Sequence, residues 1–300
     1  MAAAPAEKGT GHHHGNQRQV EHQPQIVTFG EEGSGTGQFQ GPRGVTVSEE
    51  GEIFVADTGN QRVQVFTLQG TILRKFPTVV LGEQKMEPYD VAMDGEGNLW
   101  VVGNTDSAKF AVQYDKQGRV LRKFDLQKTG WARGVAVDTK RNNILITQTT
   151  VNMGNCQSEV QMFRPDGTLV RTVGQQQGMK HPQYITVDRK ENILVSDCFS
   201  HFVFVYNEDG QFLFQFGGWG SGEGQLKYPR GICTDRAGNI IVVDTGNSRV
   251  EMFDKTGKFL KHITTDMNML KRQWAVAMAT QGQLVITDPG DNSVSIFQNL

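Results

Sequence analysis

The sequence predicts an all-β fold, a six-bladed β-propeller, on three observations. One pattern recurs six times between Gln25 and Leu300 at intervals of roughly 44 to 50 residues. Each copy reads as four short strands separated by turns, as a propeller blade does. Glycine supplies 35 of the 300 residues, about 12% against an average near 7%, which fits many tight turns.

The first copy defines the elements. Pro42-Arg43-Gly44-Val45-Thr46-Val47 alternates as a strand, Glu50-Gly51 turns, and Glu52 to Asp57 forms a second strand. Thr58 to Arg62 is a loop, Val63 to Phe66 a third strand, Gln69-Gly70 a turn and Thr71 to Phe76 a fourth strand. The fifth copy is nearly the same, from Pro229-Arg230-Gly231 through Val250 to Phe253. Lone blades cannot bury both faces of their sheets, whereas six arranged radially can. The last copy ends after its third strand, and Gln25-Ile26-Val27-Thr28-Phe29-Gly30 matches the Phe-Gly ending of a fourth strand. That N-terminal strand is expected to complete the last blade and close the ring. Residues 1–24 are polar and aperiodic and are expected to form a disordered tail, leaving 25–300 as the propeller. His12 to His14 are read as part of that tail rather than as a metal site.

Composition narrows the function classes. Thirty Lys+Arg against 32 Asp+Glu give a net charge of −2, which excludes a polybasic binder but not a basic patch on one face. No apolar run approaches the roughly 18 residues of a membrane span, and with no apolar h-region in residues 1–25 no secretory signal is expected. Three irregularly spaced cysteines, Cys156, Cys198 and Cys233, suit free thiols in a reducing compartment. The expected location is therefore cytoplasmic.

The copies resemble NHL repeats, with Asn60-Gln61-Arg62 and Asn247-Ser248-Arg249 as the eponymous triad. More specific is Phe29-Gly30 through Gly33-Ser34-Gly35-Thr36-Gly37-Gln38-Phe39 ahead of Pro42-Arg43-Gly44, repeated as Phe216-Gly217 through Gly222-Glu223-Gly224-Gln225-Leu226 ahead of Pro229-Arg230-Gly231. This linker is similar to that of the tripartite-motif NHL family, including its Brat and Lin-41 groups. The resemblance implies a module that binds single-stranded or stem-loop RNA in post-transcriptional regulation. Its alternative implication is a protein-interaction propeller that recruits substrates for a tripartite-motif ubiquitin ligase. Three scattered cysteines cannot supply a RING or B-box zinc cluster, so ligase chemistry is expected to lie outside these residues.

Aligning the copies places one residue of each at the start of the innermost strand: Arg43, Tyr89, Arg133, Gln183, Arg230 and Trp274. Guanidiniums bind phosphate, aromatic rings stack on bases and amides read base edges, so this ring suits RNA. The competing reading is of ordinary surface residues, or arginines paired with local carboxylates. A second ring follows the second strands: Asn60 and Arg62, Phe202, Asn247 and Arg249. There an Asp in four copies offers local turn bonding as the plainer role. In the third copy Thr149 to Ser158 reads as a loop lengthened by about six residues.

The glycine runs lack a following Lys-Ser/Thr and open no helix, so they read as flexible links, not phosphate loops. No metal and no small-molecule cofactor is expected. Metal-dependent lactonase-like or lyase-like propellers need carboxylates or histidines converging on the channel, and the aligned inner ring is cationic and aromatic. His181, His201 and His262 occupy non-equivalent positions. Cys198 and Cys233 read as buried thiols. An enzyme is the distant alternative.

Overall fold

The computed structural model describes residues 25–263, 272, 274–298 and 300. The expected disordered tail, 1–24 with its histidine tract, lies outside the described residues. Six four-stranded antiparallel sheets are arranged as blades. Blade 1 runs from its inner strand Pro42–Val47 through Ile53–Asp57 and Arg62–Phe66 to the outer strand Ile72–Pro77. Blades 2 to 5 repeat this order across 87–126, 135–173, 182–217 and 229–262. Inner strands of adjacent blades pack on one another around a central channel.

Ring closure follows the strand pairing. Blade 6 takes Val276–Met278, Leu284–Asp288 and Ser293–Phe297 from the end of the chain, and its outer strand is Ile26–Phe29. Ile26 pairs with Phe297 and Phe29 with Val294. First and last segments are thereby held by backbone hydrogen bonds, and no sheet edge is left between them. Phe29 then stacks at 4.6 Å on Phe66, and Phe39 meets Phe66 at 5.6 Å, so aromatic packing ties blade 6 to blade 1.

The second strands are largely apolar, and the third strands largely buried, because both faces of a blade are covered by neighbours. Ile53–Asp57 and Arg62–Phe66 are buried throughout. The turns obey local chemistry: Asp235 Oδ1 accepts the N–H groups of Ala237 and Asn239, both at 2.9 Å. Gly118 shows why the turn before the outer strand needs glycine. Its φ is +93°, and a Cβ there would lie 2.3 Å from Cγ of Phe76 in the preceding blade.

Two elements differ from the sequence expectation. A small hairpin, Val79–Leu81 with Gln84–Lys85, bridges blades 1 and 2. It is anchored by buried Met86 and by the Thr78 hydroxyl, which donates to the Met86 carbonyl at 2.6 Å. The lengthened segment of blade 3 is not a loop. Asn143–Asn152 and Asn155–Phe163 stay paired to their ends and form a projecting hairpin. Met153 and Gly154, at φ +51° and +83°, make its two-residue turn, the backbone that matches strand twist.

Candidate nucleic-acid interface

Each inner strand starts on the same face of the ring, called here the front face, which also carries the loops between second and third strands. The aligned positions therefore meet there. Arg43 lies between two aromatic rings, its guanidinium carbon 5.2 Å from the centre of Tyr89 and 5.3 Å from that of Trp274. On the far side of Trp274, Arg230 sits 3.6 Å from the ring centre. Arg230 Nη1 donates in turn to the Gln183 amide oxygen. Blades 2, 1, 6, 5 and 4 thus contribute a continuous arc, Tyr89–Arg43–Trp274–Arg230–Gln183, in which cations and π-surfaces alternate.

Among the described residues no ion pair reaches Arg43 or Arg230. Arg230 Nε is buried with no hydrogen-bond partner among the described residues, as is Arg133 Nε. Behind the arc the channel encloses about 280 Å³. Asp90 stands on its wall, and its Oδ2 accepts the Val135 N–H at 2.9 Å. Burial pushes that carboxyl up to about 7, which two backbone N–H groups only partly oppose.

Arg133, the sixth aligned position, lines a small cavity with Tyr89 and is engaged locally. It is buried, and its Nη2 donates to the Gln127 carbonyl at 2.6 Å and to Gln148 Oε1 at 2.7 Å. Burial pushes its pKa down to about 10, so it remains charged at neutral pH while tying the connection after blade 2 to blade 3. The cause lies in the local backbone: the blade 3 inner strand begins only at Val135, and Arg133 turns back toward Gln127.

The second ring is corrected by the structure. Arg62 Nε pairs with Asp57 at 2.8 Å, and its other nitrogens donate to the carbonyls of Ser34, Gly35 and Gln38 at 2.8–3.0 Å. Arg249 repeats this with Asp244 and the carbonyls of Ser221, Gly222 and Gln225. Asn60 donates to Gly33 and Asp57, and Asn247 to Gly220 and Asp244. These four side chains spend their donors clasping the glycine-rich segments, which are fixed loops rather than flexible links. Phe202 is half-buried and packs 6.2 Å from Phe204 inside blade 4. The matched aspartates also serve the backbone: Asp57 accepts the Gln40 N–H and Asp244 the Lys227 N–H.

The sequence reading missed an aromatic strip beside the arc. Trp131 lies 4.7 Å from His181, His181 5.0 Å from Phe199, and Phe199 6.3 Å from Tyr228. Tyr228 continues to His201 at 4.8 Å, and His201 to Trp219 at 4.6 Å. Lys227 Nζ caps Trp219 at 4.9 Å. Trp219 is 57% exposed, Tyr228 42% and Phe199 40%. A signal was available: Trp131, His181 and Tyr228 each stand two residues before an aligned ring position.

Among the described residues no group of three His, Cys, Asp or Glu side chains is arranged to hold a metal. None of their helices is long and apolar enough to cross a membrane. Cys198 and Cys233 are buried free thiols and Cys156 is exposed.

Comparison with known proteins agrees with this architecture. The NHL repeat family matches residues 39–66, and a 6-bladed beta-propeller family matches residues 179–286. Protein brain tumor of Drosophila melanogaster is 30% identical over 189 residues, which is 63% of this chain and 14% of that protein. Protein lin-41 of Caenorhabditis elegans is 46% identical over 50 residues, 17% of this chain and 4% of that one. The chain thus corresponds to a small part of either relative's length. A streptogramin B lyase structure superposes with a TM-score of 0.60 over 92% of this chain and 87% of its own, at 15% identity, a likeness of fold alone. The chain is a six-bladed β-propeller with NHL repeats, similar over part of its length to Protein brain tumor and Protein lin-41.

Proposed function

We propose that the front face binds single-stranded RNA, or the loop of a stem-loop, as a cytoplasmic module of post-transcriptional regulation and not as an enzyme. The observation that carries this reading is the arc Tyr89–Arg43–Trp274–Arg230–Gln183, with Arg43 between two aromatic rings, Arg230 against Trp274, and no ion pair on either among the described residues. Planar cations at fixed spacing suit successive phosphates, and the intervening rings offer π-faces to bases. The strip from Trp131 to Trp219 extends the stacking surface outward over blades 3 to 5. The arc requires Arg43 and Arg230 but not Arg133, whose Nη2 serves Gln127 and Gln148.

The exposure of Trp219, Tyr228 and Phe199 also favours a second reading, a protein partner such as a ligase substrate on the same face, since aromatic anchors dominate protein interfaces. One experiment separates the two. Random RNA is selected on the purified propeller, with an Arg43→Ala/Arg230→Ala variant run alongside. Enrichment of one short motif that the variant fails to enrich supports RNA recognition at the arc. Absence of enrichment at moderate salt sinks it and leaves the protein partner.

A further inference from the structure

The back face, where the inner strands end, carries a cleft of about 450 Å³ between blades 4 and 5. Strand register explains why it lies open there. On the outer strands of blades 1, 2 and 3, the residues opposite Val65, Gln113 and Met162 are Arg74, Arg122 and Arg171. Two of these arginines latch the gap to the next blade. Arg74 Nε donates to the Lys116 carbonyl at 2.8 Å, and Arg171 Nη1 to the Asp209 carbonyl at 2.6 Å. Both carbonyls belong to the turn before the following blade's outer strand.

At the same register in blade 4, opposite Val205, stands Phe214. A phenyl ring has no donor for the carbonyls of the Lys255–Thr256 turn, so the gap stays unlatched and its floor is apolar: Leu194, Val205, Phe214 and Ile240. Four exposed cations rim it, Arg189 and Lys190 from blade 4 and Arg236 and Lys255 from two turns of blade 5. None of them is in an ion pair among the described residues, whereas nearby Lys140 and Arg141 pair with Glu191 and Glu208. The two carboxylates at the mouth, Asp188 and Asp235, accept backbone N–H groups of their own turns.

We propose that this cleft is a second binding site, separate from the front face, for an acidic peptide segment that seats one large apolar side chain on Phe214. Charge complementarity selects the occupant. The cations stand on both walls of an apolar floor, so carboxylates on either side of a central apolar residue meet both walls, while one anionic headgroup meets only one.

Fluorescence anisotropy of a labelled heptapeptide, Glu-Asp-Glu-Phe-Glu-Asp-Glu, and its alanine-centred counterpart tests the site on the whole chain. The phenylalanine peptide is expected to bind at least tenfold more tightly than the alanine one. Arg236→Glu/Lys255→Glu, on exposed positions that leave the fold intact, is expected to weaken binding at least tenfold. Phe214→Arg, which installs the residue of blades 1 to 3, is expected to abolish the phenylalanine preference with the thermal melt retained. Equal affinity for the two peptides, or an undiminished preference in either variant, overturns the proposal. So does binding of phosphatidylserine vesicles alone, alike by the parent chain and Phe214→Arg.

Discussion

The guanidinium carbon of Arg230 lies 3.6 Å from the centre of the Trp274 ring, joining blade 5 to blade 6 across the front face. Arg43 approaches the same ring at 5.3 Å, so one indole serves two cations. Trp274→Ala removes the shared platform and is expected to weaken RNA binding by ~1–3 kcal/mol. Arg43→Ala is expected to flatten the dependence of log K on log salt by about 0.7. Arg133→Ala is expected to leave that slope unchanged and to lower the melting temperature, because its Nη2 is bonded to the Gln127 carbonyl and to Gln148. Filter binding across a salt series, with parallel melts, reads all three. A slope change for Arg133→Ala equal to that for Arg43→Ala would show both cations on the RNA.

Arg62 and Arg249 are predicted to act on stability rather than affinity. Asp57 and Asp244 are both fully buried, and removal of the arginine strands the carboxylate and unclasps a glycine-rich loop. A cost of about 3–5 kcal/mol is expected for Arg62→Ala, read by urea unfolding. Arg249 is partly accessible and a smaller loss is expected there. A change below about 1 kcal/mol together with weaker RNA binding would return Arg62 to the ligand.

Glu251 occupies in blade 5 the register of Gln64 in blade 1, opposite Val242 and Val55 respectively. Gln64 Nε2 donates to the Gln38 carbonyl at 2.7 Å. Burial pushes the Glu251 carboxyl from 4.5 up to about 7, against the pull of Arg249 at 3.1 Å. The folded state therefore binds the extra proton. The stability this contributes is complete below pH 4.5 and is lost as pH rises through about 7. Glu251→Gln keeps the neutral shape at every pH. It is expected to exceed the parent chain by on the order of 2 kcal/mol at pH 8 and to match it near pH 4.5. Asp90, pushed the same way by burial, is common to both chains and cancels in the difference. Parallel unfolding curves at pH 8 would refute the assignment.

Closure by the N-terminal strand predicts a hierarchy of losses. Phe29→Ala removes the 4.6 Å contact with Phe66 and is expected to cost about 2–4 kcal/mol. Deletion of Ile26–Phe29 also strips the hydrogen bonds from Ser293–Phe297 and exposes a sheet edge. A larger fall in melting temperature is expected, together with oligomers on size-exclusion chromatography. A monomeric deletion variant as stable as Phe29→Ala would mean that aromatic packing alone holds the ring shut.

What was legible in the sequence was periodic. The six Pro-Arg-Gly-like starts, the Asp-Gly and X-Gly turns and the Phe-Gly strand at the N-terminus report backbone geometry that each copy needs locally. Their spacing places Arg43, Tyr89, Gln183, Arg230 and Trp274 on one face. The aromatic strip escaped because Phe199, His201 and Trp219 stand where the first copy has Gly59, Gln61 and Glu32, so the repeat pattern itself carries no aromatic ring at those positions. Arg62 and Arg249 looked available because a one-dimensional pattern does not count hydrogen bonds. Only the folded loop at 33–38 shows three carbonyls turned onto one guanidinium.

The six-bladed ring, its closure between Ile26 and Phe297, and the placement of Arg43, Tyr89, Gln183, Arg230 and Trp274 on the front face are legible in the repeat spacing. Tertiary structure alone decided which of those residues remain open to a ligand. Blade geometry is set by short-range patterns of turn residues and apolar alternation, which every copy repeats. The availability of a guanidinium depends on which carbonyls and rings the rest of the fold brings within about 3 Å of its nitrogens, and those partners come from elsewhere in the chain.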